Sequence, residues 1–378
     1  MSTPTKTVTI DRLAFRGEGV GRVDQKVVFV PYAVPGDVLK IKILEKHKTF
    51  DRGEICEILT PSEFRVKARC EYFEKCGGCQ WQNIAYEEQT KAKEEIFRQT
   101  LIRVAKISEP KILPMIPAAN PWNYRQRIQL KVDFSSKPKV GFYAPESHEI
   151  VPIEKCDIAD SKINETLQAL LKKGQIPTRA FEISVFEDGN VHVMPMDHVD
   201  RYFSQAHPEQ NHQMVQAVLN FVFGRADPVF KMRKNILELY AGSGNFTFPL
   251  AEHAGRVIAV EENEKAVKVG ELLTEENQIS NIEWISGTSE WGTKKVLRKK
   301  VPIDTVVLDP PRAGASDVLD LIMVLKPKNI VYVSCDPNTL ARDLKELTKR
   351  FYRFDYAQPI DMFPQTYHIE SVTKLSLA

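Results

Sequence analysis

The chain has 378 residues, 43% hydrophobic and 27% charged, which is globular composition with room for two or three domains. Its 52 basic and 50 acidic residues leave a net charge of +2, so any nucleic-acid surface has to be local rather than global. No apolar run is long enough to span a membrane, and the start MSTPTKTVTI lacks the apolar stretch of a secretory signal; a cytoplasmic protein without a membrane partner is expected.

Residues 6–60 read as short strands separated by Gly, Asp and Pro. Their spacing suits a compact OB-type barrel, a fold that often holds single-stranded nucleic acid, or else a purely stabilising β domain. Cys70, Cys76 and Cys79 follow with the spacing C-x5-C-x2-C, and Cys156 comes much later. In a reducing compartment such clustering favours a metal or catalysis over disulfides, and close thiolates suit zinc or an iron–sulfur cluster. Cys56, inside a strand pattern, reads as a small buried hydrophobe. The segment 86–104 has the periodicity of an amphipathic helix, with Ile96, Leu101 and Val104 among its apolar positions. Residues 120–200 return to strands. There, NYRQRIQLKV interleaves Tyr124, Arg125, Arg127 and Lys131, residue types that contact phosphates and stack on unpaired bases.

Beyond residue 230, apolar runs at 235–242, 256–263, 281–287, 303–311 and 329–335 alternate with segments able to form helices. That alternation predicts βαβ units and a mostly parallel sheet, with terminal strands in YRFDYAQPID and ESVTKLSLA. LELYAGSGNFTFPLA is a strand, a glycine turn and a helix start, and Glu261 ends the next strand. The turn lacks both a third dinucleotide-type glycine and a phosphate-loop lysine, so a nucleoside cofactor without a pyrophosphate fits better; S-adenosylmethionine is the common one. Tyr240, Glu261, Asp309 and Cys335 all sit at carboxyl ends of strands, where open α/β sheets bind ligands.

These stretches together resemble the S-adenosylmethionine-dependent RNA uridine-5-methyltransferases, which make 5-methyluridine in tRNA or large-subunit rRNA. The resemblance covers essentially the whole chain and is carried by GEGVGRV, CEYFEKCGGCQWQ, NYRQRIQLKV, RYFSQAHPEQN, LELYAGSGNFTFPLA, LDPPRAG, VSCDPNTLARDL and DMFPQTYHIESVTKL. It implies a TRAM-like barrel over 1–62, a β-rich middle domain over 63–200 carrying an iron–sulfur cluster, and a class I (Rossmann-like) methyltransferase domain over 201–378. It further implies cofactor contacts from Gln205, Tyr240, Asn245, Glu261 and Asp309, a nucleophile at Cys335 and a general base at Glu370. Cys70, Cys76, Cys79 and Cys156 would hold a [4Fe–4S] cluster. His207 and Thr288 depart from residues common in the family.

The chemistry explains the residue types. Carbon 5 of uracil is a poor nucleophile until a thiolate adds to carbon 6; the proton on carbon 5 must afterwards go to a base. A thiolate and a carboxylate therefore have to share one site, and the site is expected to lower the thiol pKa. The target base must also be flipped out of its stack. Structured RNA is the expected partner, 23S rRNA favoured over tRNA because of the cysteine cluster, and the protein is expected to act as a monomer. Two rivals fit less well: an RNA cytosine-5-methyltransferase, disfavoured because LDPPR lacks a second cysteine, and a non-enzymatic RNA-binding iron–sulfur protein, disfavoured by the intact Cys335 and Glu370.

Overall fold

The computed structural model describes residues 5–135, 138–186, 189–196, 205–224 and 234–378. They form two compact units, one drawn from 1–96, 118–199 and 363–368, the other from 97–117, 200–362 and 369–378. The amino-terminal part of the first unit is a closed barrel of β1 (Thr5–Leu13), β2 (Gly19–Val23), β3 (Lys26–Val30), β4 (Val38–Lys46) and β5 (Phe50–Thr60), ordered β1-β2-β3-β5-β4. Strand alternation turns Val8, Ile10, Val28, Val30, Leu39 and Ile41 into its core. Cys56 corrects our expectation. It is exposed, because its neighbour Ile55 takes the core side of β5 and alternation turns Cys56 out. At the barrel's end the buried Asp37 meets Arg65 and accepts from the Val34 and Ser62 amides. Burial alone would raise its pKa; Arg65 and those amides outweigh burial and hold it below the ordinary value.

After the barrel, α1 (Tyr86–Thr100) runs into a π-helical turn, Leu101–Ala105. The predicted helix over 86–104 is thus present, but the wider turn changes its phase: Leu101 and Ala105 are buried and Val104 is exposed. The rest of the first unit holds an antiparallel sheet of β6 (Arg127–Asp133), β7 (Lys139–Tyr143), β8 (Ile150–Pro152), β9 (Phe181–Val185) and β10 (Val191–Pro195), ordered β10-β9-β6-β7-β8. A helix the strand reading passed over, α2 (Ser161–Lys173), covers it with Ile163 and Leu167. Its signals were local: Asp160 caps the start and Gly174 closes the end. The segment 363–368 also belongs to this unit, where the Gln365 carbonyl accepts from the Gln80 and Trp81 amides. Tyr124 is buried and its hydroxyl donates to the Pro364 carbonyl at 3.1 Å, so it is not the base-stacking surface its motif suggested.

After residues 97–117, which include the π-helical turn, the second unit continues with α3 (Pro208–Phe223) and then alternates. β11 (Asn235–Leu239), α4 (Thr247–His253), β12 (Arg256–Glu261), α5 (Glu264–Glu276), β13 (Ile282–Ser286), α6 (Ser289–Lys299), β14 (Thr305–Leu308), α7 (Leu319–Leu325), β15 (Asn329–Ser334) and α8 (Pro337–Arg350) follow in turn. The chain ends on β16 (Tyr352–Ile360) and β17 (Glu370–Leu377). The seven-stranded sheet has the order β13-β12-β11-β14-β15-β17-β16. Five neighbouring strands are parallel and β17 is antiparallel to both its neighbours. Central strands such as TVVL in β14 are buried at every position, as parallel strands covered on both faces must be. The strand order reverses between β11 and β14, the switch point at which such sheets open a crevice.

Candidate active site and cysteine cavity

The carboxyl edge of the second unit's sheet collects the predicted site residues. After β11 the chain turns through Tyr240, held in the left-handed region at φ 63°. Gly242 and Gly244 follow with φ 58° and 111°, and nothing lies within 4 Å of where a Cβ on Gly242 would be, so the backbone there faces open space. Glu261, at the end of β12, accepts from the Gly242 amide at 2.8 Å and from the Asn263 amide at 2.8 Å. Asn245 exchanges two side-chain hydrogen bonds with Asn211 of α3, at 2.9 and 3.0 Å, tying the glycine turn to that helix. Gln205 lies just before α3, and the residues preceding it in its motif, 201–204, lie outside the described residues. Of the two departures, His207 is buried and its pKa is lowered to about 4 by that burial. Thr288 caps α6, its hydroxyl accepting from the Trp291 amide.

The second group forms where β15 meets β17. Ser334 lies opposite Ser371, and one residue further toward the same edge come Cys335, just past the end of β15, and Glu370, the first residue of β17. The turn after Cys335 is built locally: Asp336 caps α8 by accepting from the Asn338 and Thr339 amides, and Pro337 starts the helix. A hydrophobic strand ending in a capped helix start leaves the residue between them, Cys335, partly open at the edge. Asp309, one residue beyond β14, completes the group.

The electrostatics differ from expectation. The Cys335 thiol is pushed up to about 12, first by burial and then by the charge of Glu370 and of Asp309, against the pull of the Arg312 guanidinium. The expected depression is absent because burial disfavours the thiolate and the carboxylates that could serve the reaction add to that effect. Glu370 is itself raised to about 8 by burial and by Asp309, again with Arg312 pulling down, and Asp309 is raised to about 7 by burial. Arg312 was missed in the sequence. Its only signal was its place three residues after Asp309 in LDPPR.

In the first unit Cys70, Cys76, Cys79 and Cys156 line one cavity of about 270 Å³, together with Gln82 and Arg125. The Gln82 side chain accepts from the Cys70 amide at 3.0 Å, the Gly78 amide donates to Cys76 Sγ at 3.4 Å, and Asn164 accepts from the Cys156 amide at 2.7 Å. Burial raises all four thiols, Cys156 to about 11. Among the described residues, no three His, Cys, Asp or Glu side chains come together as ligands of a single metal ion.

A family model described as tRNA (uracil-5-)-methyltransferase matches residues 188–377, and a TRAM-domain model matches residues 4–56. The chain belongs to the tRNA (uracil-5-)-methyltransferase family. A relative from Bdellovibrio bacteriovorus, named an uncharacterized RNA methyltransferase, is 33% identical over 97% of this chain and 94% of its own. One from Aquifex aeolicus with the same kind of name is 30% identical over 98% of both chains. A crystal structure of the Pyrococcus abyssi tRNA (uracil-54, C5)-methyltransferase with S-adenosyl-L-homocysteine has the same fold: TM-score 0.73 at 24% identity, covering 97% of this chain and 99% of that one. The chain thus joins a Rossmann-like methyltransferase sheet to an amino-terminal TRAM barrel.

Proposed function

We propose that this protein transfers the methyl group of S-adenosylmethionine to carbon 5 of a uridine in structured RNA. The reading is supported above all by the β15–β17 register, with Cys335 and Glu370 one residue beyond the Ser334–Ser371 pair. The cofactor fits the glycine turn, where the backbone at Gly242 faces open space beside the Glu261 carboxylate. Gln205, Tyr240, Asn245, Glu261 and Asp309 would hold it, and when bound it supplies an electrophilic methyl group on a sulfonium. The Cys335 thiolate adds to carbon 6 of the uracil, pushing electron density onto carbon 5. Glu370 takes the carbon-5 proton after that carbon is methylated, and the bond from carbon 6 to Cys335 then breaks to restore the ring. Arg312 supplies positive charge beside both groups.

The four cysteines would hold a [4Fe–4S] cluster. In such a cluster each thiolate binds a different iron, and the four cysteines that line the cavity supply one thiolate for each. Bound iron would also relieve the cost of buried thiolates. Its role is structural, since uridine methylation is not a redox reaction. Large-subunit rRNA is favoured as substrate because the cysteine set accompanies that reading. A tRNA is the second reading, supported by the matching tRNA (uracil-5-)-methyltransferase family model and by the similarity to the Pyrococcus abyssi tRNA (uracil-54, C5)-methyltransferase. A three-domain division at about residues 62 and 200, a cytoplasmic location and a monomeric state complete the proposal. Among the described residues no helix is long and apolar enough to cross a membrane.

The test is covalent trapping on rRNA fragments and tRNAs carrying 5-fluorouridine. The fluorine cannot leave as a proton, so the enzyme stalls as an adduct after methyl transfer. The wild-type protein should form a denaturant-stable complex that carries the methyl group, and Cys335→Ala should form none. An alanine variant that still traps RNA would overturn the nucleophile assignment.

A further inference from the structure

We propose that Asp343 is a positioning residue for this reaction, fixing the loop of residues 309–318, which carries Asp309 and Arg312, against β15 and α8. The inference rests on the Cys335–Glu370 reading above. Asp343 lies in α8 and is only 1% exposed. Its Oδ2 accepts from the Ala315 amide at 2.8 Å and from the Tyr332 hydroxyl at 2.7 Å, and its Oδ1 accepts from Arg342 Nε at 2.8 Å. Arg342 in turn donates to the Ala313 carbonyl at 2.8 Å. One carboxylate and its neighbouring guanidinium thus grip the loop on both sides of Gly314.

Gly314 itself shows how close that grip is. Its φ is 81°, and a Cβ there would lie 2.4 Å from Arg342 Nη2 and 2.6 Å from Asp343 Oδ2. The loop's far end is tied as well, since the Tyr240 hydroxyl donates to Asp317 at 2.9 Å. The loop therefore spans from the glycine turn to β15, three residues short of Cys335, where Tyr332 stands. The Arg342 side chain is about half exposed, so its ion pair with Asp343 contributes little to stability by itself. Its geometry is the better account: Arg312 is exposed, so the position of its guanidinium depends on the backbone from which it extends. That charge pulls down both the thiol and the base, and a small loop displacement would weaken the pull.

The experiment compares full-length wild type with Asp343→Asn, Tyr332→Phe and Gly314→Ala. It measures kcat and KM, thermal unfolding, and the rate at which iodoacetamide alkylates Cys335 at pH 8, read on the peptide that contains it. Asp343→Asn should lose about 100-fold in kcat, the order expected for a displacement near 1 Å. Its Cys335 alkylation should slow by about tenfold, because moving a neighbouring charge changes a pKa by about one or more. Tyr332→Phe and Gly314→Ala should move both readouts the same way. A folded Asp343→Asn protein with wild-type Cys335 alkylation would overturn the proposal, even if its melting temperature fell. If Asp343→Asn fails to fold, Tyr332→Phe decides on the same readout. Methyl transfer surviving in Cys335→Ala would sink the nucleophile reading instead, leaving the alkylation comparison to judge the loop by itself.

Discussion

Cys335 carries the sharpest conflict in the molecule. A nucleophile should be a thiolate, yet burial, Glu370 and Asp309 all favour the thiol. The residues that make the site able to accept a proton are the ones that make the thiol reluctant to lose one. The pH dependence follows with a definite sign. Both working forms, the Cys335 thiolate and the Glu370 carboxylate, are the deprotonated ones, and kcat/KM reports the free enzyme. It should therefore rise from pH 6 to pH 9 as Glu370 ionises near 8 and the thiolate fraction grows. Arg312→Gln should lower kcat/KM at pH 7.5 by about tenfold or more, since an opposite charge nearby moves a pKa by at least about one. Methyl incorporation from labelled cofactor across that range checks both; a profile falling between pH 6 and 8 would contradict the assignment. At this scale the sequence displayed the thiol and the carboxyl through SCDP and HIES. It did not display their mutual effect, because a pKa depends on which charges meet in space.

Among the elements, strands with buried β-branched runs and helices with caps were the legible parts. TVVL and NIVYVS admit little else, and Asp336-Pro337 marks a helix start directly. The segment α2 was hidden by the strands around it, and the π-helical turn after α1 by the small energy difference between α and π phases. The glycine turn between β11 and α4 can be tested at Gly244. Its φ is 111°, and a Cβ there would lie 2.4 Å from the Phe248 ring. Gly244→Ala should cost about 1–3 kcal/mol of stability, the usual scale for a residue forced into a sparsely populated backbone region. It should also weaken S-adenosylmethionine binding, because relieving the clash moves the turn. Chemical denaturation and a binding titration measure the two effects; unchanged affinity in the folded variant would remove the turn from the cofactor site.

Across the whole chain, sequence spacing groups Cys70, Cys76 and Cys79, the family resemblance adds the distant Cys156, and the folded first unit lines one cavity with all four. Protein purified without air should be brown, absorb near ~400 nm as thiolate-bound clusters do, and lose that colour in Cys156→Ser. A colourless protein loaded with zinc would refute the cluster. Two buried carboxyls, one in each unit, should also answer pH in opposite senses. In the second, Glu238 on β11 is buried, accepts from the Thr247 hydroxyl at 2.7 Å, and is raised to about 8 by burial, with Asp309 and Glu261 adding to the effect. Unfolded, it would titrate near ~4.3. Between those values the folded state holds a proton that the unfolded state has released, so this group's contribution to stability falls as pH rises through that window. In the first unit, Asp37 is lowered, so its pairing with Arg65 stabilises above the unfolded pKa and is lost as pH falls through the folded one. Glu238→Gln keeps the shape without the charge. Its melting temperature relative to wild type should be higher at pH 9 than at pH 5. Asp37→Asn should lose most above pH 5 and progressively less in acid. Thermal unfolding of Glu238→Gln across pH 4–9 and of Asp37→Asn from pH 7 down to about 2 reads the two slopes, and a Glu238→Gln difference that does not change with pH would mean that this carboxyl is not protonated on folding.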